Sequence, residues 1–284
     1  MRKLSFFDTL CKILLVSVNF SLEDWVDNLL SRGRHSFSLN EARSTFSTDS
    51  EAALKLKLTR LSKKGKIVSV HQGYYIIITP QYIARGILPV ALFVDGLMKF
   101  LSRPYYVGLL NAAAFYGAAH QQPQEYFVFT NFPVLRPANK KGIRINYISK
   151  KQFNSEHLEQ RKTETGFITI SNPLLTAVDL VQFEKRIGGL NRAATVLNEL
   201  AESLKPEQIT LSLLKEVSVT AVQRLGFLLE IILKKEISEH LFAMSKQAGL
   251  DFFRVPLKLS QSTKGFSADN RWKIIVNTEI EIDE

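Results

Sequence analysis

Cysteine is almost absent from this chain: Cys11 is the single one among 284 residues. One thiol cannot form an internal disulfide, and it cannot supply a zinc site built from several cysteines. It lies in an apolar stretch, which favours a packed rather than a reactive side chain. The five histidines show no His-x-x-x-His spacing. We therefore predict no metal site and no cofactor.

Motifs that carry common enzyme chemistry are also missing. The sequence has no Gly-x-Gly-x-x-Gly, no Gly-x-x-x-x-Gly-Lys-Ser/Thr and no Gly-x-Ser-x-Gly, the patterns of dinucleotide sites, phosphate loops and nucleophile elbows. Glu125 and Lys150-Lys151 flank predicted strands, but the Asp…Glu-x-Lys pattern of nucleases is absent. We predict a protein that is not an enzyme. A nuclease-like α/β enzyme with a DNA-binding winged helix is an alternative.

Long hydrophobic runs are the third absence. Residues 4–19 are apolar, but Asp8 and Lys12 interrupt them and no Ala-x-Ala cleavage site follows. No stretch reaches the roughly 18 apolar residues of a membrane-spanning helix. We therefore expect a cytoplasmic protein that does not contact a membrane, and we assign no role to residues 4–19.

Positive charge is abundant, and it is unevenly distributed. The net charge is +10; residues 1–80 hold 12 Lys/Arg against 7 Asp/Glu, residues 81–160 hold 9 against 4, and the remainder is balanced. Lysine and arginine displace counterions from phosphates. The distribution therefore favours a polyanionic partner for the N-terminal half, although a solvated basic surface would have the same composition.

The first 65 residues predict three short helices. Three Ser/Thr-x-x-acid spacings are typical of helix starts: Ser21 with Asp24, Ser38 with Glu41, and Thr48 with Glu51. The first helix closes near Gly33, the second spans Phe37–Phe46, and the third runs to about Lys64, where Gly65 follows as a C-terminal cap. A tight polar turn joins the second and third helices, as in a helix-turn-helix.

Two short strands follow the third helix at once. Residues 66–70 and 74–78 alternate around His71-Gln-Gly73, which predicts a hairpin with Gly73 at positive φ. The fold class is therefore α+β: an N-terminal winged helix-turn-helix in residues 1–82, followed by a larger mixed α/β domain in residues 83–284.

The third helix has a leucine face and a basic face. Leu54, Leu58 and Leu61 recur at helical spacing, and six Lys/Arg without an acid lie between Lys55 and Lys66. Crowded like charges cost stability unless an anion neutralises them. A helix in this position enters the major groove, where lysines contact phosphates and polar side chains read bases. We predict a double-stranded DNA site made of Thr48, Ser50, Lys55, Lys57, Thr59, Arg60, Lys63, Lys64, Lys66, His71 and Gln72. A winged helix used as a protein-interaction module remains an alternative.

The remainder of the chain predicts helices and strands in alternation. Helices are predicted at 83–101, 105–119, 174–183, 191–202, 220–235 and 238–248, and strands at 126–130, 143–148, 167–171, 253–259 and 272–282. Between two strands lies a basic loop, which is either a solvated loop or a second phosphate-contact patch: Arg136, Lys140, Lys141 and Arg144. Asp179 is the one acid in an otherwise apolar helix, so it is either a site residue or a structural carboxylate that accepts hydrogen bonds.

The order of these elements resembles a known family. The residues that carry the resemblance are the Gly73-Tyr-Tyr strand, the small-residue segment 106–117, the strand at 125–130, and the strand-to-helix turn at 170–180. This order resembles the AbiEi-type antitoxins of type IV toxin–antitoxin systems, which act in abortive infection and phage defence. Leu174-Leu175 stand where related chains often have Glu-Arg, whereas Thr176 and Asp179 match.

The resemblance implies a double function. The winged helix would bind an inverted-repeat operator and repress its own operon, and the C-terminal domain would oppose a nucleotidyltransferase-type toxin without forming a stable complex with it.

Overall fold

A computed structural model describes residues 20–118 and 125–282, and the chain divides into two compact units between Pro89 and Val90. The predicted domains, 1–82 and 83–284, stay a prediction. The apolar segment 4–19 and Cys11 lie outside the described residues. Within the described ranges, every helix is too short or too polar to cross a lipid bilayer.

The described part of the first unit, residues 20–89, combines three α-helices with a small sheet. Its elements follow in the order α1 (Leu22–Ser31), β1 (Ser36–Ser38), α2 (Leu39–Thr45), α3 (Glu51–Lys63), β2 (Ile67–His71) and β3 (Tyr74–Ile77). The strands form an antiparallel sheet in the order β1-β3-β2. Gly73 has φ 76° in the β2–β3 turn, as predicted.

Local capping chemistry fixes where these helices begin. Ser21 and Ser38 form the predicted capping boxes with Asp24 and Glu41. The prediction for the third helix was wrong: Ser50 rather than Thr48 is the N-cap, and its hydroxyl accepts a hydrogen bond from the Ala53 amide. The second helix is also shorter than predicted, because its first two predicted residues, Phe37 and Ser38, pair with β3 as part of strand β1.

The core of the first unit lies between α1, α3 and the sheet. Leu54, Leu58 and Leu61 are buried against Trp25 and Phe37, and the two aromatic rings meet edge to face at 5.0 Å. Burying apolar side chains of this size contributes about 1.5–3 kcal/mol each. The leucine spacing of α3 therefore sets which of its faces is left outward.

The second unit is built on a six-stranded mixed sheet. Its strands are β4 (Tyr105–Val107), β5 (Glu125–Asn131), β6 (Ala138–Lys140), β7 (Ile143–Lys150), β8 (Leu158–Thr163) and β9 (Gly166–Ser171). Their order is β6-β7-β5-β4-β9-β8, with β5/β7 and β4/β9 parallel and the other pairs antiparallel.

Helices complete the second unit. They are α4 (Val94–Phe100), α5 (Leu109–Phe115), α6 (Pro173–Gln182), α7 (Leu190–Leu200), α8 (Leu211–Glu216), α9 (Val219–Phe227) and α10 (Ile237–Gln247). Helix α6 packs against α5, α7 and α9, and all of its residues except Gln182 are buried. The prediction of a helix apolar on nearly all sides is therefore confirmed.

Two long predicted helices were wrong. The segment 83–101 has turns around Gly86, which adopts φ 62°, and only α4 is α-helical there. The segment 105–119 starts as strand β4 and becomes helix α5 only after Gly108. A side chain at Gly108 would place its Cβ 2.4 Å from the Phe129 ring, so glycine permits this close strand-to-helix corner.

Several further boundaries differ from the predictions. The predicted 220–235 helix ends as α-helix at Phe227 and continues as one π-helical turn, Leu228–Ile232. The predicted terminal strands reduce to β10 (Val255–Pro256) and β11 (Ile274–Ile275), which pair in parallel. Beyond these strands, the Asn277 side chain forms hydrogen bonds with backbone groups of the 258–262 loop, where the prediction had a pair of strands. Strand β8 was missed because its polar sequence has no apolar alternation.

The basic loop at 136–144 also contains structure that was not predicted. Strand β6 pairs with β7 as a hairpin at the edge of the sheet. Lys141 and Gly142 form its turn, with φ of 46° and 81°, the two positive values that a tight hairpin turn requires. The patch residues therefore lie on and beside an edge hairpin.

Candidate nucleic-acid interface

The outward face of α3 is defined by the burial of its three leucines. Ala52, Leu56, Thr59, Arg60 and Lys63 are exposed, and their spacing of three, four and seven residues places them on the side opposite the core. Lys55 lies at one margin of this face and is also exposed. We call these six residues the outward face.

Three of the six cations between Lys55 and Lys66 are ion-paired inside the first unit. Lys57 lies 2.7 Å from the Asp49 carboxylate. At the other end, Lys64 and Lys66 lie 2.6 and 3.0 Å from Glu23. Acids of the same unit, outside the 55–66 stretch, therefore neutralise part of the crowded charge that the sequence shows.

The acids that pair with these lysines lie mostly on α1. Hydrogen bonds from Lys64 and Lys66 lower the pKa of Glu23, and Asp27 on the next turn lies 3.0 Å from Lys66 and raises the pKa of that lysine. The sequence signal was present as acids at i and i+4 of the first helix. The sequence does not show that Glu23 pairs with Lys64, 41 residues later, or that Asp27 pairs with Lys66, 39 residues later.

The other three cations lie on the outward face. Within residues 20–118 and 125–282, Lys55, Arg60 and Lys63 have no ion pair with an acid. The leucine face of α3 is buried, and Lys57, Lys64 and Lys66 are ion-paired. The cations that remain without an acidic partner among the described residues therefore lie on the outward face. This selection reduces the predicted set of phosphate contacts from six to three strong candidates.

The polar candidates of the predicted site divide by what their hydroxyls already bind. Thr59 donates its hydroxyl to the Lys55 carbonyl at 2.8 Å, so toward a ligand it offers lone pairs only. Ser50 accepts the cap hydrogen bond from Ala53 and keeps its own proton to donate. Thr48 is exposed and lies outside the helix.

The hairpin β2–β3 carries the last two candidates. Gln72 is exposed at its tip. His71 is half-buried, and its Nδ1 lies 3.1 Å from the Gln72 carbonyl. Both belong to the same compact unit as α3.

The residues of the predicted second patch lie at the edge of the sheet in the second unit. Arg136, Lys140 and Lys141 are exposed. Arg144 is also exposed, but it pairs with Glu125 on the adjacent strand at 3.1 Å. The patch therefore holds three cations and one paired arginine.

Asp179 has specific partners in the core of the second unit. Its side chain is fully buried, and its two oxygens accept hydrogen bonds from Lys150 and from the Tyr106 hydroxyl, both at 2.8 Å. The Lys150 ammonium also lies over the rings of Tyr106 and Phe129, at 5.4 and 5.0 Å from their centroids, which adds cation–π attraction. The rings themselves are stacked at 4.6 Å.

The electrostatics of this cluster are those of a buried ion pair. Burial raises the pKa of Asp179, and the nearby Lys150 ammonium opposes that rise. Burial also raises the pKa of Tyr106, so its hydroxyl stays a donor. Both Asp179 oxygens are occupied, and among the described residues no three His, Cys, Asp or Glu side chains gather as a metal site requires. The two occupied oxygens support the structural interpretation of Asp179.

The fold and these two sites define a class: a two-unit α+β protein in which a basic helical face is joined in one chain to a helix-packed mixed sheet. Residues 106–231 match the family model of the AbiEi antitoxin C-terminal domain. This match within the second unit confirms the resemblance to AbiEi-type antitoxins drawn from the sequence, and it supports an antitoxin role in a toxin–antitoxin system. Tyr106, Lys150 and Asp179 all lie within the matched region.

A solved structure shares the fold over most of the chain. The crystal structure of the RV2827C protein from Mycobacterium tuberculosis superposes with a TM-score of 0.62 at 15% identity, covering 88% of this chain and 89% of that one. Identity this low shows similarity of fold alone. A comparison with curated protein sequences finds no match.

Proposed function

We propose that this protein is both a DNA-binding repressor of its own operon and the antitoxin for a nucleotidyltransferase-type toxin, acting in the cytoplasm. In this proposal the first unit is a winged helix: α2 and α3 form the helix-turn-helix, α3 enters the major groove and β2–β3 is the wing. The order α1-β1-α2-α3-β2-β3 with a three-stranded sheet supports that assignment.

One observation carries the proposal: the outward face of α3 keeps three cations without acidic partners among the described residues. Phosphate contacts supply most of the affinity of DNA-binding proteins, and they make it fall with salt. The test is a gel shift of the full chain on the DNA that precedes its own coding sequence, at several salt concentrations. Binding that is absent, or insensitive to salt, would contradict the proposal and favour the protein-interaction module.

The second unit is proposed to carry the antitoxin activity, with the edge patch Arg136, Lys140 and Lys141 as an auxiliary phosphate contact. We expect the full chain to restore growth of cells that express a nucleotidyltransferase-type toxin encoded beside it. A variant with Lys55→Ala and Lys63→Ala should restore growth equally, since these residues lie in the other unit. Loss of rescue in that variant would show that the two activities are not separable.

Glu23 is expected to weaken DNA binding by holding Lys64 and Lys66. Glu23→Gln should tighten binding to the same DNA by about threefold to tenfold and steepen the salt dependence, because a freed lysine adds about 0.9 to the slope of log K against log salt. Fluorescence anisotropy across a salt series measures both quantities.

Glu239→Gln is the matched control for Glu23→Gln. Glu239 pairs with Arg271 at 2.6 Å in the second unit, where Glu230 also contacts that arginine at 3.3 Å. The substitution therefore removes one negative charge and one of the two acidic partners of a cation. If both variants tighten binding equally, net charge rather than the α1–α3 ion pairs is responsible.

A further inference from the structure

Leu56 differs from every other leucine of α3. Its side chain is 51% exposed, whereas Leu54, Leu58 and Leu61 are 3–4% exposed. Leu56 lies at the middle of the outward face, one turn after Ala52 and one turn before Thr59 and Arg60. An exposed leucine is unremarkable by itself, but this one is surrounded by the cations of the proposed DNA-binding face.

The surrounding charges decide which partner fits this leucine. Lys55, Arg60 and Lys63 lie on the same face, and they would have to be desolvated beneath an apolar protein surface, which is costly without paired anions. The major groove of DNA provides both chemistries at once: phosphates along its rims and the C5-methyl group of thymine on its floor. Charge complementarity therefore favours a DNA duplex as the partner of the outward face.

Thr59 limits what its neighbour can read. Its hydroxyl proton is donated to the Lys55 carbonyl, so it cannot donate to thymine O4 or guanine O6. Among the uncharged side chains of the outward face, thymine recognition then depends on an apolar contact with the methyl group, and Leu56 is the largest apolar side chain there.

We propose that Leu56 determines sequence specificity by packing against a thymine C5-methyl group in the major groove. This inference rests on the proposed function, since it requires α3 to bind duplex DNA. It adds the base that is read and the atom that is recognised.

The experiment removes the methyl group from the DNA and the side chain from the protein. A duplex is recovered from a randomised pool by the full chain, and each of its thymines is then replaced by uracil, which lacks the C5-methyl. We expect the wild-type protein to lose about fivefold to tenfold in affinity at one or two positions, as for the loss of one good base contact. Leu56→Ala should bind the parent duplex more weakly and lose nothing further on uracil at those positions.

Ile83→Ala is the matched control, because Ile83 is an exposed apolar residue of the same unit at 63% exposure; it should keep the full response to uracil. Far-ultraviolet circular dichroism checks that Leu56→Ala keeps its helices. If uracil has no effect at any position, or if Leu56→Ala remains sensitive, the inference is wrong while DNA binding stands. If the pool yields no duplex, both the proposed function and this inference fail.

Discussion

Replacing Lys55 and Lys63 together with alanine is expected to weaken DNA binding by the full chain by about tenfold to a hundredfold in 0.1 M salt, and to lower the salt slope by about 1.8, or 0.9 for each lost phosphate contact. Both side chains are exposed and neither has an acidic partner among the described residues. Their positive charge is therefore available to a duplex. A titration by fluorescence anisotropy at four or more salt concentrations gives the two values.

The matched control removes the same number of charges from the same part of the unit. Lys64 and Lys66 are held by Glu23 and Asp27, so Lys64→Ala with Lys66→Ala should cost several-fold less affinity and change the salt slope by less than one contact. Equal losses in the two double variants would mean that the ion pairs do not restrict the face. No loss in the Lys55 and Lys63 variant would refute the assignment of α3 as the DNA-reading helix.

This contrast between two lysine pairs marks the limit of what the sequence could predict about the site. Leucine spacing predicted which face of α3 is buried, because helical period and burial are local properties. The sequence could not separate Lys55 and Lys63 from Lys64 and Lys66, since the difference lies in where α1 packs. Asp49, which binds Lys57, comes from the turn before α3 and was overlooked for a different reason: an acid eight positions away is not on an adjacent helical turn.

The fold shows the same division between local and non-local signals. The boxes at Ser21 and Ser38 and the glycine of the β2–β3 turn were predictable, because each involves groups within three residues. The β4–α5 corner was not: it depends on contact between Gly108 and the Phe129 ring, which lies on the neighbouring strand β5. In the sequence, the small residues after Gly108 instead favoured one continuous helix over 105–119.

Asp179 illustrates a site that the sequence located without identifying its role. A lone carboxylate in an apolar helix is visible in the sequence, but its partners Lys150 and Tyr106 lie 29 and 73 residues away. Parallel pairing of β4 with β9 and of β5 with β7, together with antiparallel pairing of β4 with β5, places these elements in one sheet beside α6. The sequence therefore predicted that the Asp179 carboxylate needs hydrogen-bond partners. Only the topology identified those partners as Lys150 and Tyr106.

The Lys150–Asp179 pair leads to the largest expected effect on stability. Lys150→Met should destabilise the second unit by about 3–5 kcal/mol at neutral pH, because breaking a buried pair leaves an uncompensated charge. The remaining carboxylate has no exposure to water and keeps one hydrogen bond, from Tyr106. Denaturant unfolding followed by Trp272 fluorescence reports on this unit, in a Trp25→Phe background that removes the signal of the first.

The pH dependence of this variant has a definite sign. Burial raises the pKa of Asp179, and removing the Lys150 ammonium removes the interaction that opposes the rise. The folded variant then binds a proton more tightly than the unfolded chain does, so its stability increases as the pH falls through the raised pKa and declines as the pH rises through it. The difference from the unsubstituted protein should thus be greatest at neutral pH and shrink in mildly acidic buffer.

Two companion variants separate the ion pair from general effects of the substitution. Lys151→Met removes an adjacent, exposed lysine and should change the free energy of unfolding by less than about 0.5 kcal/mol. Adding Asp179→Asn to Lys150→Met removes the stranded charge, while the amide oxygen can still accept from Tyr106, so the double variant should regain much of the lost stability and lose the pH dependence. If Lys150→Met costs no more than Lys151→Met, the ammonium does not compensate the buried carboxylate, and the core of this antitoxin domain tolerates Asp179 by protonating it.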